Sequence, residues 1–373
     1  MQKLGDYIRE VDVRNKDLKV TNLMGIKIDK HFMPSVANTI GTDLSNYKVV
    51  SENQFACNLM HVGRDEKIPI AILLDENKII VSPAYFTFEI INSELLLPEY
   101  LMMWFSRKEF DRNAWFYTDA DVRGGMDKRT LMDMQLPIPS IEQQREIVSE
   151  YETISKRIKL NEQIIKNLEA TAQTLYHKMF VEGIDKENLP EGWRIGSLTE
   201  VATYLNGIAC QKYATSENNY LPVLKIRELS QGYCDENSDH VLLDVPNDYI
   251  INNGDVVFSW SATLFIDIWC GGKCVLNQHL FKVSSDFYPK WYYFMWTKNH
   301  IVEWKRLISA KATSMGHIKR EDLDSAQVII PSKEYMQKID YNMTPIFSMY
   351  VQKKCENNKL IELQSLLLAK MGR

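Results

Sequence analysis

The chain has no run of about eighteen apolar residues, which excludes a helix long and greasy enough to span a bilayer. Its first residues, Met1-Gln-Lys-Leu-Gly-Asp-Tyr, contain no apolar signal region, so a cytoplasmic location and no membrane partner are expected. Cysteine is sparse: six residues, of which only Cys270 and Cys274 are close in sequence. No second pair completes a zinc site, and no histidine pair follows at finger spacing. The six thiols are therefore read as reduced and structural, and no metal is expected. Positive charge is not in excess either. The net charge is −5, so any face for nucleic acid has to be local.

Catalytic motifs are missing as well. There is no Gly-x-x-x-x-Gly-Lys-Ser/Thr phosphate loop, no Gly-x-Gly-x-x-Gly after a strand and no His-Glu-x-x-His. Neither Asn-Pro-Pro-Tyr nor Asp-Pro-Pro-Tyr occurs. The histidines (His31, His61, His177, His240, His279, His300 and His317) have no sequence-local partners that make a triad or a ligand set. No catalytic residue is assigned.

Proline and glycine are absent from residues 141–182, and there a regular pattern appears. Ile147, Tyr151, Ile154, Ile158, Asn161, Ile165, Leu168, Ala172, Leu175 and Met179 recur in alternating steps of four and three. This is a heptad seam, the spacing that keeps two packed helices facing each other. Pro139-Ser140 precedes this stretch and Pro331-Ser332 precedes a second one, 331 − 139 = 192 residues later. The same offset carries the seam onto Ile339, Met343, Ile346, Tyr350, Lys353, Asn357, Leu360, Gln364, Leu367 and Met371. Two seams of equal length predict two long helices packed as an antiparallel coiled coil around a pseudo-two-fold axis. Their middles would bring Asn161 to Lys353 and Asn357, a polar layer that fixes register at some cost in stability. Pro345 has Thr153 as its counterpart, and the second helix is expected to start or kink there.

The remainder also repeats. Short β-type runs lie at 24–28, 54–57, 68–74 and 79–82 in the first half and at 221–226, 255–259, 266–269 and 280–283 in the second; Ile26-Lys27-Ile28 echoes Leu224-Lys225-Ile226, and Tyr85-Phe86 echoes Leu280-Phe281. Gly124, Leu131 and Gln135 return as Gly316, Leu323 and Gln327. The expected fold is two α/β (α+β) globular domains, each followed by a long helix. The expected boundaries are a first domain over 1–140, a central helix over 141–185, a second domain over 186–332 and a C-terminal helix over 333–373.

Charge placement suggests where a ligand would bind. Residues 290–320 carry seven basic side chains and one acidic one, 7 − 1 = +6, with Trp291, Tyr292, Tyr293, Phe294, Trp296 and Trp304 interleaved. Such a segment suits phosphate contacts or a solvated helix face. The matching stretch of the first half, 99–129, sums to zero. Arg123-Gly124-Gly125 and Ser314-Met315-Gly316-His317 occupy matching places, where glycine permits close backbone approach to a ligand or a tight turn.

Several longer segments resemble the specificity (S) subunit of type I restriction–modification systems. They are Asn58-Leu-Met-His-Val-Gly-Arg-Asp-Glu-Lys-Ile-Pro-Ile-Ala, Gly254-Asp-Val-Val-Phe-Ser-Trp-Ser-Ala-Thr, Leu189-Pro-Glu-Gly-Trp and Leu136-Pro-Ile-Pro-Ser-Ile-Glu-Gln-Gln-Arg-Glu-Ile-Val. The last is the most specific. Its second copy, Ile329-Ile-Pro-Ser-Lys-Glu-Tyr-Met-Gln-Lys-Ile, lacks the Gln-Gln-Arg. The resemblance implies two target recognition domains on a helical spacer, each reading half of a bipartite site in double-stranded DNA. It implies no catalysis and no cofactor on this chain. It also implies two methyltransferase (modification) subunits carrying S-adenosylmethionine and, through them, restriction subunits using ATP and Mg. On that basis the candidate DNA-binding residues are His61, Arg64, Arg123 and Lys128 in the first half. In the second they are Lys212, Tyr213, Trp260, Lys311, Ser314 and His317. Two other classes stay open: a coiled-coil adaptor that binds only proteins, and a nuclease with a spatially assembled metal site.

Overall fold

A computed structural model describes residues 1–36, 41–60, 62–75, 77–118, 124–215, 219–310 and 317–371. The chain forms two compact units, Met1–Lys156 with Glu362–Arg373, and Arg157–Ile361. Each unit thus holds part of both long helices.

The first unit is built on a four-stranded antiparallel sheet in the order Ile8–Glu10, Phe86–Ile90, Gln54–Cys57 and Ile70–Ile72. Aromatic residues on one face make its core. Phe55 stacks on Phe88 at 4.9 Å, and Phe105 meets both rings edge-on. Phe105 comes from the helix Pro98–Phe105, which opens with proline at its first position, where no N–H is needed. The next helix, Lys108–Phe116, is anchored by a buried ion pair: Lys30 reaches Asp111 at 2.7 Å and the Phe105 carbonyl at 2.5 Å.

The second unit repeats that sheet in the same order: Thr203–Asn206, Leu280–Ser284, Val256–Ser259 and Phe265–Ile268, again antiparallel. Beside it Tyr220–Leu224 runs parallel to Cys274–Leu276, which pairs antiparallel with Ile250–Ile251. The last pairing has its counterpart in Lys48–Val50 with Ile79–Val81. The predicted runs all contain strands. The short edge strands Ile8–Glu10 and Thr203–Asn206 were not foreseen. Each half is also tied at its base by a two-stranded pair, Gln2–Lys3 with Gln135–Leu136, and Arg194–Ser197 with Gln327–Ile330.

The helix Lys290–Ala310 requires a correction. Its aromatics Trp291, Tyr292, Tyr293, Phe294, Trp296 and Trp304 are all buried in the second core and do not interleave with the basic side chains on an open face. Lys298 pairs with Glu169, and Lys290 donates to the Gly254 carbonyl. Rings of that size contribute more in a core than in water, and the helix turns them inward.

The first long helix is Ile141–Phe180, 40 residues; the second is Lys333–Lys370, 38 residues. The Gln-Gln pair explains the start of the first. Gln143 and Ser140 exchange backbone-to-side-chain hydrogen bonds as a capping box. Gln144 is wholly buried; it donates to the Leu95 and Pro139 carbonyls and accepts from Leu97 N–H. The second helix has Met336 in place of Gln144. There Trp291 Nε1 donates to Asp340 at 2.7 Å instead. Pro345 lies inside a continuous helix, so the expected start there is wrong. Position 341, whose carbonyl loses its helical partner, carries a tyrosine that is 83% exposed, so the proline faces the solvent side of the helix pair.

Every seam residue is buried or half-buried. Within the first unit Gln364 Nε2 donates to Ser155 Oγ at 2.7 Å, and Val148 shares a core with Met371. Within the second, Arg157 pairs with Glu356 at 2.6 Å, while Leu175 and Met179 lie beside Tyr335 and Ile339. In both units rising numbers on one helix meet falling numbers on the other, so the packing is antiparallel. Of the three residues expected in a polar layer, Lys353 pairs with Glu356 at 2.8 Å, and the two asparagines lie inside the second unit. Asn161 is fully buried with neither side-chain atom hydrogen-bonded, and Asn357 Nδ2 donates to the Ile158 carbonyl at 3.4 Å. A second stripe went unread: Gln144, Val148, Tyr176, Phe180, Phe347 and Val351 turn toward the two globular cores.

The cysteines pair up differently in space than in sequence. Cys270 lies beside Cys355, with its Sγ 3.7 Å from the Val351 carbonyl, and Cys274 lies beside Cys234. Burial pushes the Cys270 thiol up to about 12, which keeps it protonated and inert. Among the described residues no helix is long and apolar enough to cross a membrane, and no cluster of side chains is arranged to hold a metal ion.

Candidate nucleic-acid interface

In the first half the loop after strand Gln54–Cys57 crosses the segment that leads to the short helix Lys128–Asp133. The crossing is made by backbone: Met126 N–H donates to the Leu59 carbonyl at 2.9 Å, and Gly63 N–H to the Gly124 carbonyl at 2.7 Å. Gly124 has φ +54°, and a Cβ on Gly63 would come within 2.7 Å of the Gly124 Cα. The glycines therefore serve contact between two protein strands. The Asn58 side chain turns the loop by accepting from Met60 N–H at 3.1 Å.

The second half repeats the crossing. Ile318 N–H donates to the Trp260 carbonyl at 3.0 Å, just after strand Val256–Ser259 and just before the short helix Arg320–Ser325. Met126 and Ile318 are separated by the repeat of 192, and so are Lys128 and Arg320. Both halves thus set a cation in the first turn of a short helix that follows the crossing.

Arg64, with an exposed side chain, is held by both nitrogens against Asp65 at 2.7 and 3.0 Å. The carboxylate keeps the guanidinium extended and raises its already high pKa. Lys128 pairs with Glu10 on the edge strand at 2.5 Å and stands over the Phe86 ring. His61 and Arg123 lie outside the described residues.

In the second half Trp260 and His317 come together, with ring centroids 5.8 Å apart. They line a groove of about 680 Å³ with Tyr204, Asn206, Lys319 and Arg320. Trp260 Nε1 donates to Asn206 Oδ1 at 3.1 Å, which fixes the indole at the floor. The His279 ring lies 6.0 Å from the indole, and its Nδ1 is 3.4 Å from Ser261 Oγ. A groove with an aromatic floor and two cations at its rim can hold a phosphate and present hydrogen-bonding side chains to a base edge. Lys212 and Tyr213 do not line it. They form a turn, Cys210–Tyr213, in which Tyr213 packs on the core of the smaller sheet. Lys311 and Ser314 lie outside the described residues. Asn206, His279 and Arg320 were missed as candidates, though carrying Lys128 forward by 192 would have found Arg320.

Residues 190–363 match the family model described as Type I restriction modification DNA specificity domain. Over this region the chain is similar to type I specificity subunits. It is 23% identical over 307 residues to the type I restriction enzyme MjaIX specificity subunit of Methanocaldococcus jannaschii, covering 76% of this chain and 70% of that one. Its fold is similar to the crystal structure of the type I restriction–modification S subunit from M. genitalium, with a TM-score of 0.59 and 11% identity over 100% of this chain and 95% of that one. The matched region takes in the second crossing, the Trp260 groove and most of the second long helix.

Proposed function

We propose that the chain is the sequence-reading subunit of a type I restriction–modification complex, with each half recognising one part of a bipartite site in duplex DNA. The repeated crossing, with Lys128 and Arg320 set beside it, is the observation that carries this reading. Phosphate contacts from such cations place a protein on the duplex, and side chains in the neighbouring groove then read base edges. Arg64 in the first half, and Trp260, Asn206 and His317 in the second, are the readers this assigns. The paired long helices set the number of unread base pairs between the two parts. This chain performs no chemistry in that scheme. Two methyltransferase subunits bring S-adenosylmethionine, and restriction subunits recruited through them use ATP and Mg. The whole complex works in the cytoplasm.

The test uses the full chain reconstituted with its methyltransferase subunits and a motif found by methylome sequencing of a host with and without the chain. Lys128→Ala and Arg320→Ala should each weaken binding and lower the salt slope of the affinity by about 1. Each should also relax methylation in one half of the motif only. If both variants relaxed the same half, or neither changed the slope, the assignment would be wrong. An adaptor that binds only proteins would yield no motif at all.

A further inference from the structure

Three consecutive aromatic residues stand open at the end of the helix Lys108–Phe116: Trp115 is 48% exposed, Phe116 78% and Tyr117 55%. The Phe116 and Tyr117 rings meet edge-on at 5.2 Å. Thr118 closes the helix; its Oγ1 and N–H both donate to the Trp115 carbonyl, at 2.7 and 3.1 Å. The triplet therefore sits on an ordered turn. Apolar rings grouped in this way on a surface mark a place where something else binds.

Their position indicates what binds there. A Cβ on Gly63 would lie 3.3 Å from Thr118 Oγ1, so the triplet adjoins the first-half crossing directly. Arg112 on the same helix, and Arg64 next to Gly63 at the crossing, have side chains 73% and 65% exposed. The repeat of 192 carries the triplet onto Leu307, Ile308 and Ser309, so only the first half has it. A feature confined to one half fits a reading surface whose targets differ between halves better than it fits a repeated docking surface for two equal subunits.

We infer that Phe116, flanked by Trp115 and Tyr117, wedges between neighbouring bases of the first half-site and opens one base step there. Proteins that kink duplex DNA use exposed apolar side chains in this way, and stacking on the unstacked base offsets part of the cost of opening it. The flexible steps of the half-site would then be selected through their ease of opening. This inference rests on the DNA reading proposed above.

The experiment uses the reconstituted complex, duplexes carrying the motif, and 2-aminopurine placed at successive positions of the first half-site. The wild type should give a fluorescence rise at one step. Phe116→Ala should abolish that rise and weaken binding about tenfold, without changing the melting temperature. Phe287→Ala, which removes a still more exposed ring from the other half, should do neither. If the wild type binds its motif with no rise at any position, or if Phe116→Ala keeps both signal and affinity, the wedge is refuted and the DNA reading stands. If Phe116→Ala impairs assembly with the methyltransferase subunits and leaves DNA affinity intact, the triplet is a protein-docking surface. If the wild-type complex shows no sequence preference, the DNA reading fails and the wedge with it.

Discussion

Replacing Asn161 with leucine should make the protein more stable. Asn161 is 0% exposed, and neither its Nδ2 nor its Oδ1 has a hydrogen-bond partner; Asn357 Oδ1 nearby is also unpartnered. Leaving a buried amide unpaired costs about 1–3 kcal/mol. Leucine removes that cost and adds apolar burial, against about 1 kcal/mol for fitting a larger side chain. A net gain of about 1–2 kcal/mol should raise the transition of the second unit by about 2–6 °C in differential scanning calorimetry. Stability would come at the expense of register, because a lone polar layer penalises shifted pairings of the seam. Hydrogen exchange should therefore quicken across residues 154–165 even as the transition rises. The Asn161 amide lies near enough to Glu356 to help depress its carboxyl, behind Arg157 and Lys353, but without hydrogen-bond geometry. A fall in the transition temperature would mean that this contact is a true hydrogen bond and would refute the reasoning.

Three further outcomes are expected. Inserting seven residues at matched places in both long helices lengthens each by about 10 Å and should widen the unread gap in the methylation motif; an unchanged gap would end the account of the helices as a spacer. Gly63→Ala sets a Cβ 2.7 Å from Gly124 Cα, a contact that only a backbone shift relieves, so the first unit should lose about 1–3 kcal/mol while Gly183→Ala, with open space around it but φ +70°, should lose less. Glu356, held down to about 2 by Arg157 and then Lys353, contributes stability that is complete above its ordinary value near 4.5 and disappears as pH falls toward 2. Acid melts should flatten over that window in Arg157→Met, and an unaltered profile would show that the pair does not matter.

The helices were the most legible part of the sequence, because a seam of alternating fours and threes marks a helix that packs along one face against another. The duplication was readable too, since Pro139-Ser140 and Pro331-Ser332 mark equivalent boundaries. Less visible was the second stripe, Tyr176, Phe180 and Phe347, which a heptad reading discards as off-seam although it meets the globular cores. The aromatics of 290–304 misled for a related reason. A helix buried on several sides has no clean polar face, so basic residues between rings resemble an open patch when Lys298 is in fact paired with Glu169. Asn206, which lines the groove, and His279, which neighbours its tryptophan, come from an edge strand and a turn that only the sheet brings beside Trp260. Local sequence holds no record of such a meeting.

The two-stranded clasp at the base of each half has a bearing on how such chains change over time. Leu4 N–H reaches the Met134 carbonyl at 2.8 Å and Leu198 N–H reaches the Ala326 carbonyl at 3.0 Å, so each half starts and finishes at nearly one point. A segment whose two ends meet is a cassette. Replacing it by another segment whose ends meet in the same way needs only two neighbouring joints to be closed.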